Sequence, residues 1–201
     1  MTERELVAAL RARNEAAFAQ LVELYTPAML RLARLYVPTR ALAEEVVQEA
    51  WLGLLSGIDR FEGRSSLKTW IFRILVNTAK TRGVREARTV PFSSLAHAEE
   101  AEDEPSVDPD RFAANGAWLA PPPELPESKL LADETRALIE RTIAELPPAQ
   151  ATVITMRDVE GLDAQTVCNV LDITETNQRV LLHRARSKVR QALEEYLADT
   201  R

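Results

Sequence analysis

The stretch from Thr89 to Lys129 decides what this chain can fold into. It carries the acidic cluster Glu99-Glu100-Ala101-Glu102-Asp103-Glu104, then Pro105, Pro109, Pro121, Pro122, Pro123 and Pro126. Proline at that density removes the N–H groups a helix needs, and clustered carboxylates repel one another. On both sides, apolar residues recur at helical spacing, and alternating strand-like runs are nearly absent. The chain therefore reads as all-α. Two small helical domains, residues 1–88 and 130–201, are joined by a flexible acidic, Pro-rich linker at 89–129.

Charge follows the same division. Residues 1–88 hold 14 basic against 10 acidic side chains, a net of +4. Residues 89–129 hold 2 against 9 (−7) and residues 130–201 hold 9 against 12 (−3), giving −6 for the chain. Within the linker, Arg111-Phe112-Ala113-Ala114-Asn115-Gly116-Ala117-Trp118 carries two aromatics. That piece either docks on a partner or covers part of a neighbouring domain.

In the first block, Phe18, Leu21, Val22 and Tyr25 predict a helix from Glu15 to about Val37, bent near Pro27 and ended by Pro38. A second helix runs from about Arg40 to Ser56 with Val47, Ala50, Trp51 and Leu54 inward. A loop follows at Asp59–Ser66, where a Ser is available as N-cap. A third helix runs to about Val84, burying Leu67, Trp70, Ile71, Ile74, Leu75 and Thr78. In the last block a helix from about Leu130 to Leu146 is broken by Pro147-Pro148, and Pro148 starts the next helix. Gly161 ends that one. A short helix to Leu171, a turn at Asp172-Ile173 and a Thr174 cap then lead into a long helix through about Leu197. That order is the helix-turn-helix arrangement.

The long helix from Asn177 to Arg190 has basic side chains and no acid. Leu181, Ala185, Val189, Ala192, Leu193 and Tyr196 are read as its buried stripe. Thr176, Arg179, His183, Arg186 and Arg190 are placed outward. Residues near the start of such a helix meet base edges, so Thr176, Asn177 and Arg179 are the base-reading candidates. Arg184, Arg186, Lys188 and Arg190 suit phosphates, and the helix N-terminus offers one more phosphate site. A solvated basic face gives the same pattern; the capped turn and the absence of acid favour DNA.

Two further faces stand out. Arg73, Asn77 and Lys80 share one side of the third helix, downstream of Phe61 in a Gly/Ser-rich loop flanked by Arg60 and Arg64. Asn and Lys beside an aromatic suit unpaired bases, but periodicity alone favours core packing of Phe61 with Arg73 and Lys80 as plain surface. On the second helix Glu45, Gln48, Glu49 and Leu52 form an acidic row with an apolar centre, either a protein-docking face or a solvated one. No P-loop, dinucleotide turn or nucleophile elbow is present, and Cys168 with His97 and His183 gives no ligand spacing. The expectation is no enzyme, no catalytic residue, no metal and no cofactor. The polar N-terminus and the lack of a spanning apolar run predict a cytoplasmic protein with no membrane insertion.

With these segments in place, the first block resembles region 2 of bacterial RNA polymerase sigma factors. Glu45-Val46-Val47-Gln48-Glu49-Ala50-Trp51 is similar to the polymerase-binding helix, and Arg60 through Lys80 to the segment that opens the minus-10 element. Leu146-Pro147-Pro148-Ala149-Gln150 and Arg157-Asp158-Val159-Glu160-Gly161, leading into the helix-turn-helix, resemble region 4. Having these two regions alone is the pattern of the extracytoplasmic-function (ECF) group. The resemblance implies an alternative sigma factor that binds core RNA polymerase, selects promoter DNA and promotes melting, with an anti-sigma factor as a further partner. It implies that Glu45, Gln48, Glu49 and Leu52 grip the polymerase clamp helices. Phe61, Asn77 and Lys80, with Arg73 on the same face, would serve the minus-10 strand. Thr176, Asn177 and Arg179, backed by His183, Arg184, Arg186 and Lys188, would serve the minus-35 duplex. Gln178 departs from the family, standing where many members have an apolar residue. A stand-alone helix-turn-helix regulator is the competing reading, and a small nuclease a distant third.

Overall fold

The computed structural model describes residues 2–89 and 129–199, with side chains for 2–85 and 133–198. The linker piece Arg111–Trp118 lies outside the described residues. All regular structure among the described residues is helical. Contacts divide the described residues into two units, residues 2–89 with 165–172, and residues 129–164 with 173–199.

The first unit holds α1 (Glu3–Arg11), α2 (Glu15–Ala33), α3 (Arg40–Gly57), a 3-10 turn (Ile58–Arg60) and α4 (Leu67–Thr89). Helix α1 was not expected, although its signature is in the sequence. Thr2 Oγ1 accepts from the Glu5 amide at 3.3 Å, and the Glu5 carboxylate accepts from the Thr2 amide at 2.7 Å. That is a capping box, two orphan amides satisfied reciprocally. Helix α2 runs through Pro27 and stops at Ala33, short of the expected Val37. Leu35 and Tyr36 donate instead to carbonyls three residues back. Pro38 disfavours helical backbone at the preceding residue, which tightens this end.

Helices α3 and α4 begin as expected. Thr39 Oγ1 accepts from the Leu42 amide at 3.2 Å, and Ser66 Oγ from the Thr69 amide at 3.1 Å. The core between α2, α3 and α4 is formed by Met29, Leu32, Val46, Leu54, Ile71, Phe72, Leu75 and Val76, all essentially inaccessible. Phe18 meets the Trp51 ring edge-on at 5.6 Å, and Trp51 Nε1 donates to Thr26 Oγ1 at 3.3 Å. The expected α4 stripe needs adjustment: Trp70, Ile74 and Thr78 are half-buried, while Phe72, Val76 and Ala79 are buried. Packing against both α2 and α3 widens the buried arc beyond one stripe.

In the second unit α5 (Lys129–Glu145) and α6 (Pro148–Ile154, with Pro148 in its first turn) pack on α8 (Glu175–Asp199). A π-helical turn, Thr155–Val159, extends α6, and Gly161 leaves it at φ 63. Helix α7 (Ala164–Leu171), whose residues from Gln165 on group with the first unit by contact, has Val167, Cys168 and Val170 buried, so Cys168 is a small core residue. Asp172 turns the chain at φ 58, a left-handed conformation that Asp tolerates better than most residues. Thr174 Oγ1 then accepts from the Asn177 amide at 3.2 Å, capping α8 as expected.

The inward face of α8 differs from the expected stripe. Gln178, Leu182 and Ala185 are buried at 2%, 4% and 0% exposure, whereas Leu181, Val189, Ala192, Leu193 and Tyr196 are half-buried. Positions 178, 182 and 185 are an equally regular i, i+4, i+7 set, hidden in the sequence because one member is polar. Contact with both α5 and α6 spreads burial around the helix.

Candidate polymerase and DNA interfaces

The acidic row on α3 is presented to solvent. Glu45, Gln48, Glu49 and Leu52 are all exposed, Leu52 at 63%. Their inward neighbours Val46, Val47, Ala50, Trp51 and Leu54 fix the helix rotation. Leu52 is one of several exposed large apolar side chains, with Leu24, Val84, Val159 and Val180. Its carboxylate neighbours are engaged within the chain. Arg82 of α4 reaches across and forks between them, Nη2 on Glu45 and Nη1 on Glu49 Oε1 at 3.3 Å.

Helix α4 exposes Arg73, Asn77 and Lys80 together, as expected. Asn77 lines a concavity of about 330 Å³ with Glu49, Thr78, Thr81, Arg82 and Arg85. Phe61 belongs elsewhere. It is buried at 7%, its ring centroid 5.1 Å from that of Trp70, and it borders a separate concavity with Glu3, Arg4, Val7, Arg11 and Glu62. Core packing thus accounts for its position, and it does not share Asn77's concavity. At its edge Arg64 Nε donates to Glu62 Oε2 at 2.6 Å.

The Phe61 loop is held by α1 and the turn after it. Arg11 Nη2 donates to the Phe61 carbonyl at 2.6 Å and Nε to the Ile58 carbonyl at 3.4 Å. Arg13 donates to the Leu55 carbonyl at 2.5 Å and to Asp59 at 3.2 Å. Glu3 Oε2 accepts from the Leu67 amide at 3.1 Å, placing a carboxylate at the positive end of the α4 dipole. Sequence reasoning missed these residues because their partners lie 42 to 64 positions away.

On α8 the N-terminal end is open. Thr176, Asn177 and Arg179 are exposed, and among the described residues Arg179 makes a long 3.6 Å pair with Glu175. Because the Asn177 amide already serves the Thr174 cap, one fewer helix-end N–H is available to a phosphate. Further along, Arg184 is exposed and Lys188 half-buried. Arg186 is held in a bidentate pair with Asp158 of the π-turn, Nε to Oδ2 at 2.8 Å and Nη2 to Oδ1 at 2.7 Å. The turn that presents Asp158 is braced by Arg157 Nη1 donating to the Leu162 carbonyl, and by the Leu162 amide on Met156 O at 2.9 Å. Arg190, expected outward, is 7% exposed and donates to Glu194 at 2.6 Å. Desolvation by burial holds the His183 imidazole below its ordinary 6.5, so it carries little charge near pH 7. No helix among the described residues is long and apolar enough to cross a membrane.

The two helical blocks match known families in the same order. Residues 21–89 match the Sigma-70 region 2 family, and residues 136–189 match Sigma-70, region 4. The ECF RNA polymerase sigma-E factor of Escherichia coli is 31% identical over 191 residues, 94% of this chain and 93% of that one. The RNA polymerase sigma-H factor of Pseudomonas aeruginosa is 30% identical over 197 residues, covering 98% and 96%. Among solved structures, CnrH in complex with the cytosolic domain of CnrY shares the fold, with a TM-score of 0.61 at 20% identity. It covers 96% of this chain and 97% of CnrH. The sigma factor RpoE in complex with the anti-sigma factor NepR from Bartonella quintana has a TM-score of 0.60 at 21% identity, covering 88% and 96%. The chain belongs to the ECF group of the sigma-70 family of bacterial RNA polymerase sigma factors.

Proposed function

We propose that this chain is an alternative sigma factor in which residues 1–88 carry core binding and minus-10 opening, 130–201 read the minus-35 duplex, and 89–129 connect them. Glu45, Gln48, Glu49 and Leu52 dock on core polymerase. Arg73, Asn77 and Lys80 face the minus-10 strand, with Asn77 lining the concavity that receives an unpaired base. Capturing a base outside the stack offsets a few kcal/mol of unpairing, so binding itself drives opening. Phe61 serves that face from within, by packing under the loop on Trp70. Thr176, Asn177 and Arg179 read base edges, while Arg184 and Lys188 meet phosphates and Arg186, held by Asp158, and the neutral His183 support the helix behind them. The protein acts in the cytoplasm, without catalysis of its own, and an anti-sigma protein covers its polymerase face when it is idle.

The observation that carries this reading is the exposed α3 row of Glu45, Gln48, Glu49 and Leu52 beside the Asn77 concavity on α4, within the residues matching region 2. In vitro transcription tests it. Core polymerase plus this protein is expected to start at discrete sites downstream of an asymmetric two-element promoter, and neither component alone should do so. Sequence-specific binding to a palindromic duplex without polymerase would instead identify a stand-alone regulator.

A further inference from the structure

Arg82 stands where the polymerase face and the DNA face meet. Its guanidinium pairs with Glu45 and Glu49 on α3, and it also lines the concavity that contains Asn77, Thr81 and Arg85. Both carboxylates are about half exposed, at 51% and 48%, while Arg82 is 23% exposed. A partner approaching from solvent therefore reaches the carboxylate oxygens without first moving α4. Position on α4 is fixed closely: Gly83 lies so near the Tyr36 carbonyl that an added Cβ would stand 2.5 Å from its oxygen. Side-chain torsions are the freedom left to Arg82.

We propose that Arg82 is a binding residue shared by the two interfaces. In the free chain it occupies the carboxylates that core polymerase uses. In the holoenzyme it turns into the Asn77 concavity and holds a backbone phosphate of the unpaired strand. This rests on the α3 row being the polymerase face. An acidic row fits a partner surface bearing guanidinium or ammonium groups, and Arg82 imitates that partner chemistry within the chain. Partner cations compete with it for Glu45 Oε2 and Glu49 Oε1, the two oxygens it holds. The released charge then lies among Asn77, Thr81 and Arg85, where a phosphate would accept it.

The test is core affinity by titration, together with the salt dependence of promoter opening by the holoenzyme. Arg82→Met is expected to bind core about 2- to 5-fold more tightly, since a competitor worth one partly exposed ion pair is gone. Its log–log salt slope for opening should fall by about 0.7, one single-strand phosphate. Arg82→Lys, a single-point charge, should bind core between the two and restore the slope. It also serves if the Met variant melts near the assay temperature. Unchanged or weaker core binding by folded Arg82→Met overturns the proposal, and so does an unchanged slope. A Glu45→Gln, Glu49→Gln double variant separates the two readings. If it binds core normally, the α3 face itself is misassigned. If it binds poorly while Arg82→Met gains nothing, the exchange alone is wrong.

Discussion

Two arginines on two helices are paired in contrasting ways. Arg186 on α8 meets one carboxylate through both its Nε and Nη2, and both partners are largely covered, at 18% and 33% exposure. Arg82 on α4 is divided between two carboxylates that are half in water. The first pair joins α8 to the π-turn beside it and has the geometry of scaffolding. The second has the geometry of something that can be exchanged. A basic side chain on a nucleic-acid-binding helix is thus not automatically a phosphate ligand. The burial of its carboxylate partner decides which of the two it is.

The largest effect should come from breaking the α8 pair. Asp158→Ala or Arg186→Ala is expected to destabilise the second unit by about 1.5–3 kcal/mol, the range for hydrogen bonds to charged groups. Denaturant unfolding followed by circular dichroism measures it. Arg186→Lys should not rescue, since an ammonium cannot reproduce the two-point geometry. If Arg186→Ala instead leaves stability unchanged and only lowers the salt dependence of promoter binding, Arg186 is a phosphate contact and the contrast fails.

Next comes Gly83, which keeps Arg82 in place. Ala is the better helix former by about 0.8–1.0 kcal/mol. The added Cβ would nevertheless meet a backbone oxygen at 2.5 Å, so a backbone must shift. Overpacking of this kind costs about 1–3 kcal/mol, and Gly83→Ala should lower the first unit's unfolding midpoint despite its propensity. A raised midpoint would show that α4 is free to move, removing the fixed placement on which the Arg82 exchange depends.

Much of this molecule was legible in sequence because its signals are local. Pro148 and Thr174 start helices as read, a Ser of the 59–66 loop (Ser66) caps α4, and the Asp172 turn falls where expected. Glu45, Gln48, Glu49, Arg73 and Asn77 lie on the exposed faces assigned to them. The failures share a cause, which is partners distant along the chain. Arg82 and Glu45 are 37 positions apart, and Arg186 and Asp158 are 28. Helical periodicity reports which side of a helix faces out, but not which neighbour's carboxylate stands opposite. Gln178 misled for a different reason, because a buried amide erased the apolar stripe that fixes the rotation of α8. Only α1 was a local signal overlooked: Thr2 and Glu5 spell a capping box.

Arg179 gives the next test, ranked by its confinement to one promoter position. Among the described residues its paired carboxylate is Glu175 at 3.6 Å, with both side chains more than half exposed, so the guanidinium is available to a base edge. Arg179→Ala should lose about 1–3 kcal/mol of discrimination at one minus-35 base pair, measured by competition among single-base variants. A uniform loss across all variants would place Arg179 with the phosphate contacts instead.

His183 should give the smallest effect, and it probes the same rule from the side of protonation. Burial lowers its folded pKa below 6.5, so the folded protein binds the proton less readily than the unfolded chain does. Its stabilising contribution is therefore fully present above pH 6.5. It declines as pH falls from 6.5 toward the lowered value. A His183→Gln variant should flatten that part of the stability–pH curve slightly. At pH 7.5 it should leave the salt slope of promoter binding unchanged, because a neutral imidazole releases no counterion. A reduced slope at pH 7.5 would mean that DNA recharges the ring on binding. A half-buried partner on α8 would then be exchangeable after all, as Arg82 is on α4.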